Sequence, residues 1–347
     1  MILRSLFAAG LLALASAVAP ASAQEPVKIK FTLDWKIQGP HAWYYWAKDK
    51  GYFAKEGLDV TIDQGEGSAA AITRVMTGAY DAGFGDINAI VQSATKFPDK
   101  APVMVYLLYN RAPYAIITKA SGPIKTLKNM EGHSLLSPAG SATLRLFKPL
   151  ADANGVDASK VNIMNAAPNL IEQMLAQGQA DSVAQFAATS YMNFIAMKLD
   201  PEKDFRWFFY SDYGLDLYSN GIVVSQSLLK DKPQAVRGLV RAINKAILDV
   251  AANPDAAMAL LKTIEPLTDV GLEKQRAQYF IKHQMITPET DKLGLGDLDD
   301  GRLTAAIKTV AKAYELPAVP PNSAIFVRDF LPPKADRNIA AAAAKAK

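Results

Sequence analysis

The chain contains no cysteine. That excludes disulfides, a thiol nucleophile, a thiolate metal site and the lipidated cysteine of a bacterial lipoprotein. Histidine is nearly as scarce. His41, His133 and His283 stand far apart, with no spacing that would gather them around a metal. His-Glu-x-x-His, a P-loop lysine motif and Gly-x-Ser-x-Gly are also missing. No catalytic residue and no cofactor is therefore expected. The net charge of +4 is an ordinary balance and marks no nucleic-acid surface. Beyond the first residues no long hydrophobic run appears, and half of the chain is apolar, the composition of a soluble globular protein.

The first 23 residues are a different kind of sequence. Met1 to Arg4 is positive, and Ser5 to Ala19 is apolar and short for a membrane span. Ala21-Ser22-Ala23 then gives the small-x-small pattern of a signal-peptidase site, with Gln24 as the mature start. The competing reading, an uncleaved anchor, does not explain that site. Cleavage removes one Arg and no acid, leaving a charge of +3 and about 320 residues, enough for two domains with real cores. A periplasmic location is expected.

The mature chain alternates strand and helix patterns, the mark of largely parallel α/β sheets. Lys28 to Leu33 reads as a strand ending in Asp34-Trp35, His41 to Lys50 as a helix, and Leu58 to Ile62 as a strand. Gly67-Ser68 leads into a helix from Ala69, and Tyr80 to Asp86 follows as a short strand. Val103 to Tyr109 and Tyr114 to Lys119 are β-rich. Composition then turns to Ser, Gly and Pro near 120–123, a crossing between domains. The order strand, small-residue loop, helix, short strand recurs from His133 to Ala187, with Gly78-x-x-Asp81 matched by Gly178-x-x-Asp181. From Lys232 the chain is mostly helical. The expected fold is two α/β lobes, each a mostly parallel sheet flanked by helices, with a ligand cleft between them. Residues 24–120 and 221–333 form the first lobe, 121–220 the second, and 334–347 an Ala/Lys tail that is frayed or disordered. Hinges fall near Ser121-Gly122 and Asn220.

Strand ends in such sheets present ligand groups. Asp34, Trp35, Gln38 and His41 stand at one of them. Trp35 offers a flat face and an indole donor, against the plainer reading of core filler. His41 opens a helix, and Tyr44, three residues on, shares its face. Gly67-Ser68 and the Ser137 to Thr143 loop (Ser137, Gly140, Ser141, Thr143) would expose free backbone N–H groups and hydroxyls that hold an anion or hydroxyl, although ordinary helix caps look the same. Asp86, Asn88 and Glu172 can pair a ligand amine or simply cap helices. Gln185 faces the cleft from the second lobe, and Tyr109 adds an aromatic wall. Gly65-x-Gly67-x-x-Ala70 also mimics a dinucleotide fingerprint, but the leader and the aromatic unit ahead of it argue against a nicotinamide enzyme.

Leu33-Asp34-Trp35, His41, Gly51-Tyr52-Phe53 and Glu56-Gly57-Leu58-Asp59-Val60 together resemble one group of periplasmic solute-binding proteins. These are relatives of the thiamine pyrimidine-precursor binders and of the alkanesulfonate, taurine and nitrate binders of ABC importers. The resemblance implies a monomeric type II binding protein that delivers a small solute to a permease with its ATPase. Its Leu-Asp-Trp and His41 lean toward the pyrimidine-precursor branch. That branch commonly reads Leu-Asp-Trp-x-Pro-Asn-x-Asn-His, where Ile37, Gln38 and Pro40 stand here, so one amide arm is longer and another is gone. The expected ligand is a planar heteroaromatic or aromatic solute. A sulfonate, taurine or nitrate ligand is the alternative, and a pyrimidine-precursor synthase-like enzyme a further one.

Overall fold

A computed structural model describes residues 25–346; the expected leader, 1–23, lies outside them. Ten strands form two five-stranded sheets. The first contains β1 (Val27–Thr32), β2 (Leu58–Asp63), β3 (Ala82–Asp86), β4 (Val103–Leu107) and β10 (Asn220–Val224), in the order β2-β1-β3-β10-β4. The second contains β5 (Tyr114–Lys119), β6 (Ser134–Ser137), β7 (Asn162–Asn165), β8 (Ser182–Phe186) and β9 (Phe205–Phe209), in the order β7-β6-β8-β5-β9. In each sheet one strand runs against the rest. It is β10 in the first and β5 in the second, and each sits between two antiparallel partners. Both are runs of buried residues, apart from the half-buried Lys119 at the end of β5, as central strands covered on both faces must be.

The two sheets bear out the α/β reading, and the placement of β5 moves the first crossing. Residues 114–119 pair with β8 and β9 of the second sheet, so the chain crosses at 108–113, ahead of the expected Ser121-Gly122. It returns between Phe209 and Asn220.

The C-terminal helices close the first lobe. The helix Pro233–Ala252 buries Val236, Leu239, Val240, Ile243 and Ile247 along one stripe, the spacing of an amphipathic helix, and packs on the helix Ala42–Asp49. Within the described residues the tail, 334–346, is neither frayed nor free. Arg337 donates to the carbonyls of Pro332 and Leu295, Asn338 caps the short helix Ile339–Ala343, and Ile339 is buried in the core of the first lobe. Burying that one side chain contributes about 1.5–3 kcal/mol to docking the tail. Among the described residues no helix is long and apolar enough to cross a membrane.

Candidate functional site

Strand ends from both sheets meet at one cavity. From the first lobe it is lined by Asp34, Trp35, Gln38, Pro40, His41, Gly67, Ser68, Tyr109 and Phe280, and from the second by Ser141, Ala142, Gln185, Phe186 and Thr189. It encloses about 20 Å³, room for roughly one water.

The floor is a polar network just past the end of β1. Asp34 Oδ1 accepts from His41 Nε2 at 2.8 Å, and His41 Nδ1 accepts from the Gln38 backbone N–H at 2.9 Å. The backbone donor fixes the tautomer: the imidazole proton sits on Nε2 and points at the carboxylate. Asp34 Oδ2 accepts from Asn220 Nδ2 at 2.8 Å and Ser68 Oγ at 3.3 Å, and Asn220 Nδ2 also reaches Ser68 Oγ at 3.0 Å. Gly67 N–H donates to the Asp34 carbonyl and Gly65 N–H to that of Trp35. These bonds lock the 33–38 loop to the loop before the helix Ser68–Met76.

The walls are aromatic. Tyr109 stacks on Phe280 at 4.9 Å between centroids and 21° between planes, and meets Phe186 of the second lobe edge-on at 6.4 Å. Burial, reinforced by the nearby Asp34 charge, pushes the Tyr109 phenol well above its ordinary range, so the group is neutral. Gln185 is only 4% exposed, and its Nε2 has no hydrogen-bond partner among the described residues. A buried amide donor left unmade costs about 1–3 kcal/mol. The lining carries one carboxylate, Asp34, and neither lysine nor arginine.

The small-residue loops meet each other instead of an anion. Gly140 O accepts from the backbone N–H groups of Ala69 and Ala70, at 3.1 and 3.2 Å. A carbonyl of the second lobe thus satisfies the first free donors of a helix in the first lobe. The approach requires glycine: a Cβ on Gly67 would lie 2.1 Å from that oxygen, at a φ of +149°. On the other side Ser141 caps its own helix by accepting from Leu144 N–H.

Several residues singled out from the sequence stand elsewhere. Tyr44 is fully buried and packs on Phe31 and Phe84 at 5.1 and 5.7 Å, one layer behind the cavity. Asp86 caps the helix Ile87–Lys96 through the amides of Asn88 and Ala89, and accepts from Tyr114. Asn88 donates to the Tyr218 carbonyl. Ser137 donates to the Ala184 carbonyl at 2.7 Å. Thr143 is buried outside the cavity. Glu172 lies in a separate groove, accepting from Ser190 Oγ at 2.7 Å. Phe186, Thr189 and Phe280 carry no sequence signal of their own. Phe186 follows Gln185 on a strand end, whereas Phe280 arrives from a C-terminal helix that no local pattern ties to the site. Among the described residues, no group of three or more His, Asp or Glu is placed to hold a metal ion.

Comparison with known proteins agrees with this architecture. The chain is 26% identical over 301 residues to a riboflavin-binding protein of Chloroflexus aurantiacus, covering 83% of this chain and 82% of that one. It is 25% identical over 238 residues to a formylaminopyrimidine-binding protein of Halalkalibacterium halodurans, covering 68% and 70%. Its fold matches the solved alkanesulfonate-binding protein of Xanthomonas axonopodis pv. citri with a TM-score of 0.65 at 14% identity, over 88% of this chain and 99% of that one. Residues 38–257, which hold most of the cavity and both crossings, match the family model described as NMT1/THI5 like. The chain belongs to the NMT1/THI5-like family.

Proposed function

We propose that this protein is the periplasmic solute-binding component of an ABC importer, and that its ligand is an uncharged planar N-heterocycle. The carrying observation is the cavity itself: aromatic walls from both lobes around a single carboxylate, with no lysine or arginine in the lining. Asp34, the one charge, accepts hydrogen bonds and therefore suits ring or exocyclic N–H groups of the ligand. Gln185 Nε2 would donate to a ring nitrogen or carbonyl. Trp35, Tyr109, Phe186 and Phe280 provide stacking faces. Two relatives named for riboflavin and formylaminopyrimidine, both N-heterocycles, point the same way.

The two lobes swing about the crossings at 108–113 and 210–219. A ligand that touches Asp34 and Tyr109 on one side and Gln185 and Phe186 on the other makes all its contacts only when the lobes are together, and so shifts the population toward closure. The closed protein then delivers its cargo to a permease and its ATPase. A sulfonate or nitrate would need a cation or free helix N–H groups, and here Gly140 O occupies the amides of Ala69 and Ala70. A reactive histidine is not supported either, because both His41 ring nitrogens are engaged within the protein.

The test is thermal melting of the chain from Gln24 against riboflavin, aminopyrimidines, alkanesulfonates, taurine and nitrate. At a hundred times its Kd a ligand adds about 2.7 kcal/mol to stability, a shift of several degrees. A heterocycle is expected to give that shift and Trp35→Ala to abolish most of it. A shift with sulfonates or nitrate alone would overturn the ligand class.

A further inference from the structure

The cavity has a neighbour. On the other side of Trp35 and Gln38, which line both spaces, lies an open groove of about 810 Å³ between the lobes. One wall is the second-lobe helices Ile171–Ala176 and Ala187–Ala196, and the other is the first-lobe segment from Glu265 to Arg276. Its size is that of a small-molecule site.

The groove differs from the inner cavity in chemistry. Asn169, Gln173 and Gln177 offer side-chain amides, which both donate and accept. Four carboxylates also line it, Glu172, Glu265, Asp269 and Glu273, against two cations, Lys36 and Arg276. Arg276 has little left for a ligand. It is 1% exposed, its Nε and Nη2 hold the Glu273 carboxylate at 2.9–3.1 Å, Nη1 donates to Thr189 O at 2.8 Å, and Nη2 also reaches Asn193 Oδ1. Glu273 is spent on Arg276 in turn, and burial raises the Glu172 carboxyl above its ordinary value, so an entering anion would meet Glu265 and Asp269 with Lys36 as the remaining cation. A hydroxyl group would find acceptors and donors on both walls.

We propose that this groove is a second subsite, which binds a neutral hydroxylated chain attached to the heterocycle held behind Trp35 and excludes the phosphorylated form of the same ligand. The proposal rests on the heterocycle reading of the inner cavity. Like-charge juxtaposition penalises a phosphate dianion where a hydroxyl is welcome, which is discrimination by repulsion as well as by fit. It follows that a phosphate-ester hydrolysis must precede capture whenever the solute begins as a phosphomonoester.

Calorimetric titration of the chain from Gln24 with lumichrome, riboflavin and flavin mononucleotide tests this. The three share a fused-ring head and carry no chain, a neutral ribityl chain and a phosphorylated chain. Riboflavin should bind at least tenfold more tightly than lumichrome and at least tenfold more tightly than flavin mononucleotide. The second gap should narrow as salt screens the carboxylates. Gln173→Ala should weaken riboflavin more than lumichrome, and Glu265→Gln with Asp269→Asn should raise flavin mononucleotide affinity. Equal affinities of lumichrome and riboflavin, or of riboflavin and flavin mononucleotide, would overturn the subsite and leave the heterocycle reading standing. Binding of an aminopyrimidine with no flavin would do the same. If only sulfonates or nitrate bind, or no heterocycle does, both readings fall.

Discussion

Asp34 and Gln185 face the same small cavity from different lobes, yet their situations differ. Asp34 holds three hydrogen bonds from His41, Asn220 and Ser68, so both of its oxygens already have partners within the protein. Gln185 holds its Nε2 in the interior with no partner among the described residues, which penalises the fold. Gln185→Leu keeps similar bulk and removes the donor. The variant should be more stable than the parent by about 1–3 kcal/mol in denaturant unfolding without ligand, and should bind the heterocycle at least tenfold more weakly. Lower stability with unchanged affinity would mean that the amide is a packing group. At this scale the sequence was informative where chemistry concentrates at a strand end, as for Asp34, Trp35, Gln38 and His41. It was less so for Tyr44. Three residues along a helix is just under one turn, about 4.5 Å along the axis, and that step takes Tyr44 past the cavity lining into the packing against Phe31 and Phe84, so a residue on the right face lies at the wrong depth.

Between elements, the lobes meet backbone to backbone at Gly67 and Gly140. The loop before the helix Ser68–Met76 and the loop before the helix Ala142–Arg145 read in sequence as two open anion cradles. In the folded chain they are one joint, with a carbonyl of one loop seated on the amides of the other. No local pattern distinguishes those outcomes, because a free helix N-terminus and one capped across a cleft have the same residues. The same limit applies to β5. Its apolar run would suit either sheet, and its membership is decided by partners at 182–186 and 205–209. Gly67→Ala tests the joint. The added methyl cannot share space with Gly140 O, and Ala is disfavoured at that φ, a combined strain on the order of 1–3 kcal/mol. Since closure is what the strain opposes, heterocycle affinity should fall roughly 5- to 150-fold, and the ligand-saturated variant should have a larger radius of gyration by X-ray scattering than the saturated parent. Parental affinity and dimensions would remove Gly67 from the closing surface.

Across the whole molecule, the two-lobed α/β fold was legible from alternating periods and the matched Gly-x-x-Asp turns, whereas the cavity's full composition depended on Phe280 being carried back by the C-terminal helices. The crossings that make two sheets one protein converge on Asp86. Its carboxylate, at the end of β3, accepts from Tyr114 at the start of β5 and from Ser219 Oγ at 3.3 Å just before β10, besides the amides of Asn88 and Ala89. The next residue, Asn220, donates to Asp34, which places this joint one residue from the cavity floor. Burial raises the Asp86 carboxyl above its ordinary value, although hydrogen bonds from Tyr114 and the two amides oppose the shift. The folded protein therefore holds this proton more tightly than the unfolded chain does. The resulting stabilisation is complete below the unfolded carboxyl's pKa and is lost as pH rises through the folded one. Asp86→Asn keeps an acceptor for the two amides and presents an NH₂ to the Tyr114 oxygen, but it cannot titrate. The melting temperature of the parent minus that of Asp86→Asn should be greatest below about pH 4 and should decline as the pH rises from there. A difference that is flat or grows with pH would mean that the hydrogen bonds outweigh burial, and that the joint between the lobes is held by a fully stabilised carboxylate.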